Sequence, residues 1–133
     1  EENMATTNPT IQSLRFKKTV TMASGSTLSS AVNIAGYRVA ALDVSSGWDA
    51  ANKMTFSVGN DGSTFFDLYD GSGNEYSITS GTIVSATSRA YVPNTDLSLA
   101  LSAHDFLKFR PGPSTAAVGL TTTVTIDVSL LPL

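Results

Sequence analysis

The sequence contains no cysteine, and this absence excludes several kinds of site at once. Without a thiol, the chain has no disulfide framework, no thiolate metal ligand and no cysteine nucleophile. Histidine occurs only once, at His104, so histidine-based catalysis depends on a single candidate residue. The cellular compartment stays open, because many extracellular folds also lack disulfides.

Charged residues are scarce as well. They make up 14% of the chain, whereas roughly 25% is usual for soluble proteins. Serine and threonine supply the polar surface instead, at about a quarter of the residues. Because threonine is β-branched, it suits the solvent face of a strand, and the composition therefore favours an all-β fold.

Basic residues are few and scattered. The net charge is -3, and only Arg15, Lys17 and Lys18 lie close together. Since phosphate neutralisation needs a concentrated basic surface, we predict no nucleic-acid partner. No apolar run is long enough to span a bilayer, and EENMATTNPT lacks the basic start and apolar centre of a signal peptide. We therefore expect neither a membrane partner nor an export signal.

The length of 133 residues fits one domain with a single hydrophobic core. Residues 1–10 are mostly polar and end in Asn8-Pro9-Thr10, and we predict a flexible N-terminal arm over residues 1–11. Alternation of apolar and polar residues begins after the arm. Residues 12–133 are therefore predicted to form a single β-sandwich domain.

The alternation predicts a series of β-strands. It is clearest near the C-terminus, where Val124, Ile126, Val128 and Leu130 alternate with polar residues, as in a strand with one solvent face. The predicted strands are 12–22, 28–34, 37–44, 53–58, 65–69, 75–79, 82–86, 89–92, 105–110 and 120–130.

The spacing of these strands defines the fold class. Turns at intervals of about 8–12 residues are typical of a β-sandwich, and long first and last strands favour jelly-roll topology. The segment 94–103 has the only helical pattern, with Asp96 as its predicted N-cap. We predict an all-β, antiparallel β-sandwich of jelly-roll topology with at most one short helix.

One stretch, SVGNDGSTFFDLYDGSGNE at residues 57–75, concentrates oxygen donors of the kind that calcium binds. Its acidic residues do not have the spacing of an EF-hand loop, and no helix follows its Gly-Ser-Gly sequence to hold a phosphate. The pairs Asp61-Gly62 and Asp70-Gly71 instead predict type I′ turns between neighbouring strands. We predict no metal and no cofactor.

The candidates for catalysis are weak. Adjacent residues on a strand point to opposite faces, so Asp105 cannot readily orient His104 as in a catalytic triad. Asp43, Asp67 and Asp127 could supply paired carboxylates for glycoside hydrolysis, but they fit equally well on the solvent faces of strands. We predict that the protein is not an enzyme, and a hydrolase is the least favoured hypothesis.

The aromatic residues have two interpretations. Trp48, Tyr69, Tyr76 and Tyr91 could form a platform that stacks on sugar rings. Trp48 also lies beside a predicted strand end, where a large ring commonly caps the core of a sandwich. We favour the core cap and keep the sugar platform as the alternative.

The segment from Gly36 to Gly112 carries several short motifs in a defined order. They are Trp48-Asp49-Ala50-Ala51, Met54-Thr55-Phe56, Asn60-Asp61-Gly62-Ser63-Thr64-Phe65, Asp67-Leu68-Tyr69-Asp70, Gly73-Asn74-Glu75, Arg89-Ala90-Tyr91-Val92-Pro93 and Leu107-Lys108-Phe109-Arg110-Pro111-Gly112. In this order they resemble a family of small tailed-phage virion proteins of the capsid cement or decoration type. The chain departs from that pattern in two places: Ala90 separates the Arg-Tyr pair, and the arm before Thr10 has no counterpart.

The resemblance implies a structural role. Such proteins bind and stabilise the shell of the major capsid protein, and the family pattern contains no catalytic or metal-binding residue. It also implies a homo-oligomer such as a trimer, on the outer capsid surface of the virion after synthesis in the host cytoplasm. A phage tail or head-completion protein and a carbohydrate-binding jelly-roll module are the alternatives.

Both the arm and the aromatic residues supply candidate contacts for a partner. The arm is the predicted tether, which would become ordered on contact with the shell. The residues predicted to contact a partner are Met4, Asn8, Pro9, Ile11, Trp48 and Tyr91.

Overall fold

The computed structural model describes residues 15–48, 53–79 and 88–133. Within these residues the chain forms nine strands and one helix. They are β1 (Phe16–Met22), β2 (Val32–Asn33), β3 (Tyr37–Val44), β4 (Met54–Gly59), β5 (Phe66–Asp67), β6 (Ser77–Ile78), β7 (Arg89–Tyr91), α1 (Thr95–Ser102), β8 (Phe106–Pro111) and β9 (Val124–Pro132). The predicted arm 1–11 and the predicted strand 82–86 lie outside the described residues.

The strands form two antiparallel sheets. Sheet 1 has the order β1-β9-β3-β7, and sheet 2 has the order β2-β8-β4-β5, with β6 also paired to β4. Apolar side chains from both sheets form one buried cluster. The predicted all-β, antiparallel sandwich with a short helix is confirmed, whereas the jelly-roll topology stays a prediction.

Strand β9 lies inside sheet 1, which accounts for its regular sequence pattern. It pairs with β1 on one side and with β3 on the other. Buried side chains alternate along it with half-buried ones, because one face covers the core and the other faces solvent. Near its end Ser129 lies opposite Ala41 and Leu130 lies opposite Val39, so that Ala40 forms a β-bulge.

Strand β4 is buried more deeply than its alternating sequence predicts. Thr55 and Ser57 alternate with Met54, Phe56 and Val58, a pattern that predicts a solvent face, but both are buried. The hydroxyl of Thr55 donates to the carbonyl of Gly112 at 2.7 Å, and the buried Arg110 lies opposite Thr55 on β8. Neighbouring polar groups therefore replace water on the outer face of this strand.

The predicted strand 28–34 is reduced to the two residues of β2. Its first part still contacts β8, because the N–H of Ser29 donates to the carbonyl of Phe109 at 2.8 Å. The N–H of Phe109, however, donates to the hydroxyl of Ser29 at 2.9 Å. The Ser29 hydroxyl oxygen therefore accepts the Phe109 N–H group, which in a longer β-ladder would donate to a backbone carbonyl.

Helix α1 covers part of β3 beyond the short partner strand β7. The side chain of Asn94 caps it by accepting the N–H of Leu97 at 2.9 Å. The predicted cap, Asp96, is wrong, because it lies inside the first turn while Asn94 has the extended conformation of an N-cap. The hydroxyl of Ser98 donates to the carbonyl of Val39 at 2.9 Å and fixes the helix to the sheet.

Candidate functional site

The stretch 57–75 contains a turn that the side chain of Asp61 stabilises. Its carboxylate accepts the backbone N–H groups of Ser63 at 2.9 Å and Thr64 at 2.7 Å. Gly62 has a φ of 77°, in the left-handed region that glycine adopts without strain. The connection between β4 and β5 does turn here, but the predicted type I′ turn is wrong, because Val58 pairs with Phe66 and the connection is longer than two residues. The carboxylate of Asp61 is engaged with the backbone.

The second turn differs from the predicted type. The carboxylate of Asp70 accepts the N–H groups of Ser72 at 2.8 Å and Asn74 at 2.9 Å, and its carbonyl accepts the N–H of Gly73 at 3.1 Å. Positive φ occurs at Gly73, with 85°, and not at Gly71. The type I′ prediction is therefore wrong here, since the pattern is that of a type I turn followed by a left-handed residue.

These backbone hydrogen bonds lower the pKa of both aspartates. The largest cause is the N–H of Thr64 for Asp61 and the N–H of Asn74 for Asp70. A carboxylate with a lowered folded-state pKa stabilises the fold above its unfolded-state pKa. That stabilisation is lost as the pH falls through the folded-state value.

We expect the double variant Asp61→Asn, Asp70→Asn to be less stable than the wild type at pH 7 and to lose less stability on acidification. The difference should begin to shrink below about pH 4, where the unfolded chain takes up protons, and it should be lost as the pH falls through the lowered folded-state pKa values. Urea unfolding between pH 7 and pH 2 measures it. The control is Asp105→Asn, an exposed aspartate outside both turns, and a double variant with the wild-type acid profile would contradict the prediction.

A buried arginine connects the second turn and its two flanking strands to the rest of sheet 2. We call this segment, residues 66–78 with β5, the second turn and β6, the hairpin. Arg110, on β8, donates from Nη2 to Asp67 Oδ1 on β5 at 2.6 Å. Its Nη1 lies 3.5 Å from Glu75 Oε2 and 3.4 Å from Thr55 Oγ1. One guanidinium therefore holds both strand β5 and the residue after the second turn against the two central strands.

Glu75 extends this network to the next loop. Its Oε1 accepts the N–H of Ser114 at 3.0 Å. Its Oε2 is buried and accepts no hydrogen bond from the described residues, so that the ion pair with Arg110 compensates its charge. Tyr69 pairs with Glu75 in a β-bridge, and its hydroxyl lies 3.1 Å from Ser114 Oγ. The hairpin is thus fixed along both of its strands.

Sequence reasoning did not find the Arg110 network. The alternation pattern placed Asp67 on a solvent face and Glu75 at the start of the predicted strand 75–79, and it gave Arg110 no partner. Alternation along β8 indicates only that Arg110 and Lys108 share a face. The missing information was the order of strands β8, β4 and β5, which brings positions distant in sequence together.

Several aromatic side chains lie on or next to this hairpin. We call Phe65, Phe66 and Tyr69 the aromatic edge, because β5 lies at the edge of sheet 2. Phe66 is 65% exposed and Tyr69 is 44% exposed. Lys108 Nζ lies 4.1 Å from the ring centroid of Phe65, in a cation–π contact. The aromatic edge therefore offers large rings to solvent from a backbone that is held in place.

The residues predicted to contact a partner are not part of this edge. Trp48 is fully buried and Tyr91 is 9% exposed, and both belong to the core. Burial supports the core-cap interpretation of Trp48 and removes both rings from the predicted contact surface and from the sugar platform. The remaining predicted contact residues, Met4, Asn8, Pro9 and Ile11, lie outside the described residues.

His104 and Asp105 do not form a catalytic pair. His104 lies between α1 and β8, and its Nδ1 donates to the carbonyl of Ala100 at 3.0 Å. Asp105 is exposed, and its backbone N–H donates to Asn60 Oδ1 at 3.1 Å. In a catalytic triad the Nδ1 group would donate to the orienting carboxylate. In His104 this group donates to a carbonyl of α1 instead.

The three candidate carboxylates are divided between the two sheets. Asp43 and Asp127 lie directly opposite each other on neighbouring strands of sheet 1, whereas Asp67 pairs with Arg110 in sheet 2. Asp127 accepts a hydrogen bond from Thr19 at 2.6 Å. Among the described residues, no three acidic or histidine side chains are grouped in a way that could hold a metal ion.

Comparison with known proteins adds no further assignment. In the part of the chain that the structure describes, no helix has the length and apolar character to cross a membrane. No protein-family model matches the sequence, and no curated protein matches it significantly.

Proposed function

We propose that the protein is a structural component of a tailed-phage virion, a capsid cement or decoration protein that binds and stabilises the shell of the major capsid protein. The observation that carries the proposal is the aromatic edge, in which Phe66 and Tyr69 stand exposed on a hairpin held by Arg110. The segment that includes β5 also contains two of the motifs that resemble the virion family, at residues 60–65 and 67–70.

The physical properties of this edge suit attachment to a protein surface. Aromatic side chains are enriched among the residues that dominate interface energies. A frame that is already ordered before binding loses little conformational entropy on association, so more of the contact energy appears as affinity. A shell offers many copies of one site, and a homo-oligomer of the protein would add modest single contacts into firm attachment.

The proposed location follows from the same role. After synthesis in the host cytoplasm, the protein would bind assembled shells from outside and remain on the outer capsid surface of the virion. The proposed partners are the major capsid protein and further copies of this chain. The sugar-binding alternative is less well supported, because two of its four candidate rings, Trp48 and Tyr91, are buried.

We expect Phe66→Ala to weaken binding to shells by about tenfold or more, the loss typical of truncating an interface hot spot. Since Phe66 is exposed, its truncation should leave the unfolding midpoint nearly unchanged. The measurement is co-sedimentation of purified protein with shells that lack it, across a range of protein concentrations.

The control is Leu28→Ala. This residue is 38% exposed and lies near β2, at the opposite side of sheet 2 from the aromatic edge. Absence of binding by the wild-type protein would overturn the capsid proposal, and binding to purified tails alone would assign the protein to the tail. Equal binding of the wild type and Phe66→Ala would retain the capsid role but remove the aromatic edge from it.

A further inference from the structure

A second apolar surface lies on sheet 1, away from the aromatic edge. Val92, Leu99 and Leu133 are 78%, 65% and 74% exposed. They line one groove of about 350 Å³ together with Pro93 and Ala40. Contiguous exposed apolar surface of this kind usually marks a place where another segment packs.

A neighbouring groove continues this surface toward the start of β1. It has a volume of about 380 Å³ and is lined by Arg15, Phe16, Ala40 and Leu131, among others. Ala40 lines both grooves, at the β-bulge where β3 and β9 change register. The bulge and the small side chain leave room at the point where the two grooves meet. We call the joined surface the aliphatic groove.

The chain enters the described structure inside this groove. Arg15, the first described residue, lines it. Phe16 lies opposite Leu130 in the antiparallel pair of β1 and β9, so Arg15 lies beside the last residues of β9. The point at which the segment 1–14 joins the described chain is therefore next to the groove.

The composition of residues 1–14 complements the groove. The segment contains the apolar residues Met4, Ile11 and Leu14 and begins with two glutamates. Three basic residues, Arg15, Lys17 and Arg38, border the groove. Lys17 pairs with Asp127, whereas Arg15 and Arg38 form no ion pair with an acidic side chain among the described residues. The apolar side chains of the segment can therefore pack on the apolar residues of the groove, while its two glutamates pair with basic residues of the groove.

The reach of the segment is sufficient. An extended chain advances about 3.3 Å per residue, so residues 1–14 can extend to roughly 45 Å. A domain of this size has a radius of gyration of about 14 Å. The segment can therefore follow the whole aliphatic groove from Arg15 to the helix.

We propose that residues 1–14 bind in the aliphatic groove of their own chain, with Met4 and Ile11 as the apolar anchors. The bound arm shields Val92, Leu99 and Leu133 from water. This inference goes beyond the proposed function, since it concerns the protein in the absence of a shell. Either can fail without the other.

The absence of cysteine from the chain permits a direct test by engineered disulfide. The first double variant is Thr10→Cys, Leu99→Cys, which keeps both proposed anchors, and the control is Thr10→Cys, Ser72→Cys, which places the second thiol on the exposed turn of sheet 2. Replacing Leu99 or Ser72 removes no core packing, because both side chains are exposed. Non-reducing electrophoresis and intact mass measure the rate and molecularity of crosslinking during mild oxidation.

We expect the groove pair to crosslink within one chain about tenfold faster than the control pair, because docking raises the effective concentration of the two thiols. Equal rates for the two pairs would overturn the proposal. Crosslinking of the groove pair mainly into dimers would also overturn it, because the arm would then occupy another copy.

A second measurement in the full chain keeps the test independent of disulfide geometry. In the variant Met4→Ser, Ile11→Ser we expect binding of a hydrophobic dye to rise several-fold, because the aliphatic groove becomes uncovered. The control is Thr7→Ser, Gln12→Ser, with the same number of changes at polar positions of the arm. Unchanged dye binding in the first variant would contradict the proposal.

Discussion

Replacing Trp48 by alanine is expected to lower the free energy of unfolding by about 3–5 kcal/mol. The indole is fully buried within the cluster that joins the two sheets, so its removal loses buried apolar surface and leaves a cavity. Domains of this kind are stabilised by only about 5–15 kcal/mol in total. The variant should therefore unfold at a much lower urea concentration than the wild type.

Circular dichroism is the appropriate probe, because Trp48 is the only tryptophan and its fluorescence disappears with it. Phe66→Ala serves as the control, since Phe66 is 65% exposed and its truncation should change the stability by about 0.5 kcal/mol or less. Trp48→Phe should fall between the two. Equal stability of Trp48→Ala and Phe66→Ala would contradict the role of the indole as part of the core.

The backbone next to Trp48 shows why this ring has a defined position. Gly47 has a φ of 111°, and a side chain there would collide with Thr122 Oγ1. The backbone at Gly47 therefore lies close against the loop before β9, and the indole of the next residue, Trp48, lies in the core. Such an approach requires glycine, which the sequence supplies within SSGWDAAN.

Local patterns were sufficient to predict the elements that obey one simple period. β9 alternates strictly because one of its faces packs on the core and the other is wet, and β3 was likewise located at residues 37–44. The turn at Asp61-Gly62 followed from the preference of glycine for positive φ. In each case the determining interaction lies within a few residues along the chain, so the sequence displays it directly.

The elements that the sequence did not predict depend on contacts between distant segments. Thr55 and Ser57 alternate as solvent-facing residues should, yet side chains from β8 and β5 cover them. The choice of Asn94 over Asp96 as the cap depends on where α1 meets β3, since both residue types cap helices well. The candidate site also depends on contacts between distant segments, because Arg110 is more than thirty residues away in sequence from each of its two acidic partners.

Replacing Arg110 by methionine is expected to lower the free energy of unfolding by about 2–3 kcal/mol. Breaking a buried ion pair by removing one partner usually costs about 3–5 kcal/mol, and the Asp67 carboxylate, which is 45% exposed, recovers part of this through water. The principal loss arises at Glu75, whose side chain is only 13% exposed and would keep a charge without a counter-ion. Urea unfolding at pH 7 measures the change.

The control for this variant is Lys17→Met, which breaks an exposed ion pair with Asp127 at 3.7 Å and should cost less than about 1 kcal/mol. Adding Glu75→Gln to Arg110→Met should restore part of the lost stability, since it removes the uncompensated charge. If fixing the hairpin matters for attachment, Arg110→Met should also weaken binding to shells under conditions in which it remains folded, although Arg110 itself is buried. A variant as stable as Lys17→Met would show that the network contributes little to the fold, and unchanged shell binding would separate the rigidity of the hairpin from its function.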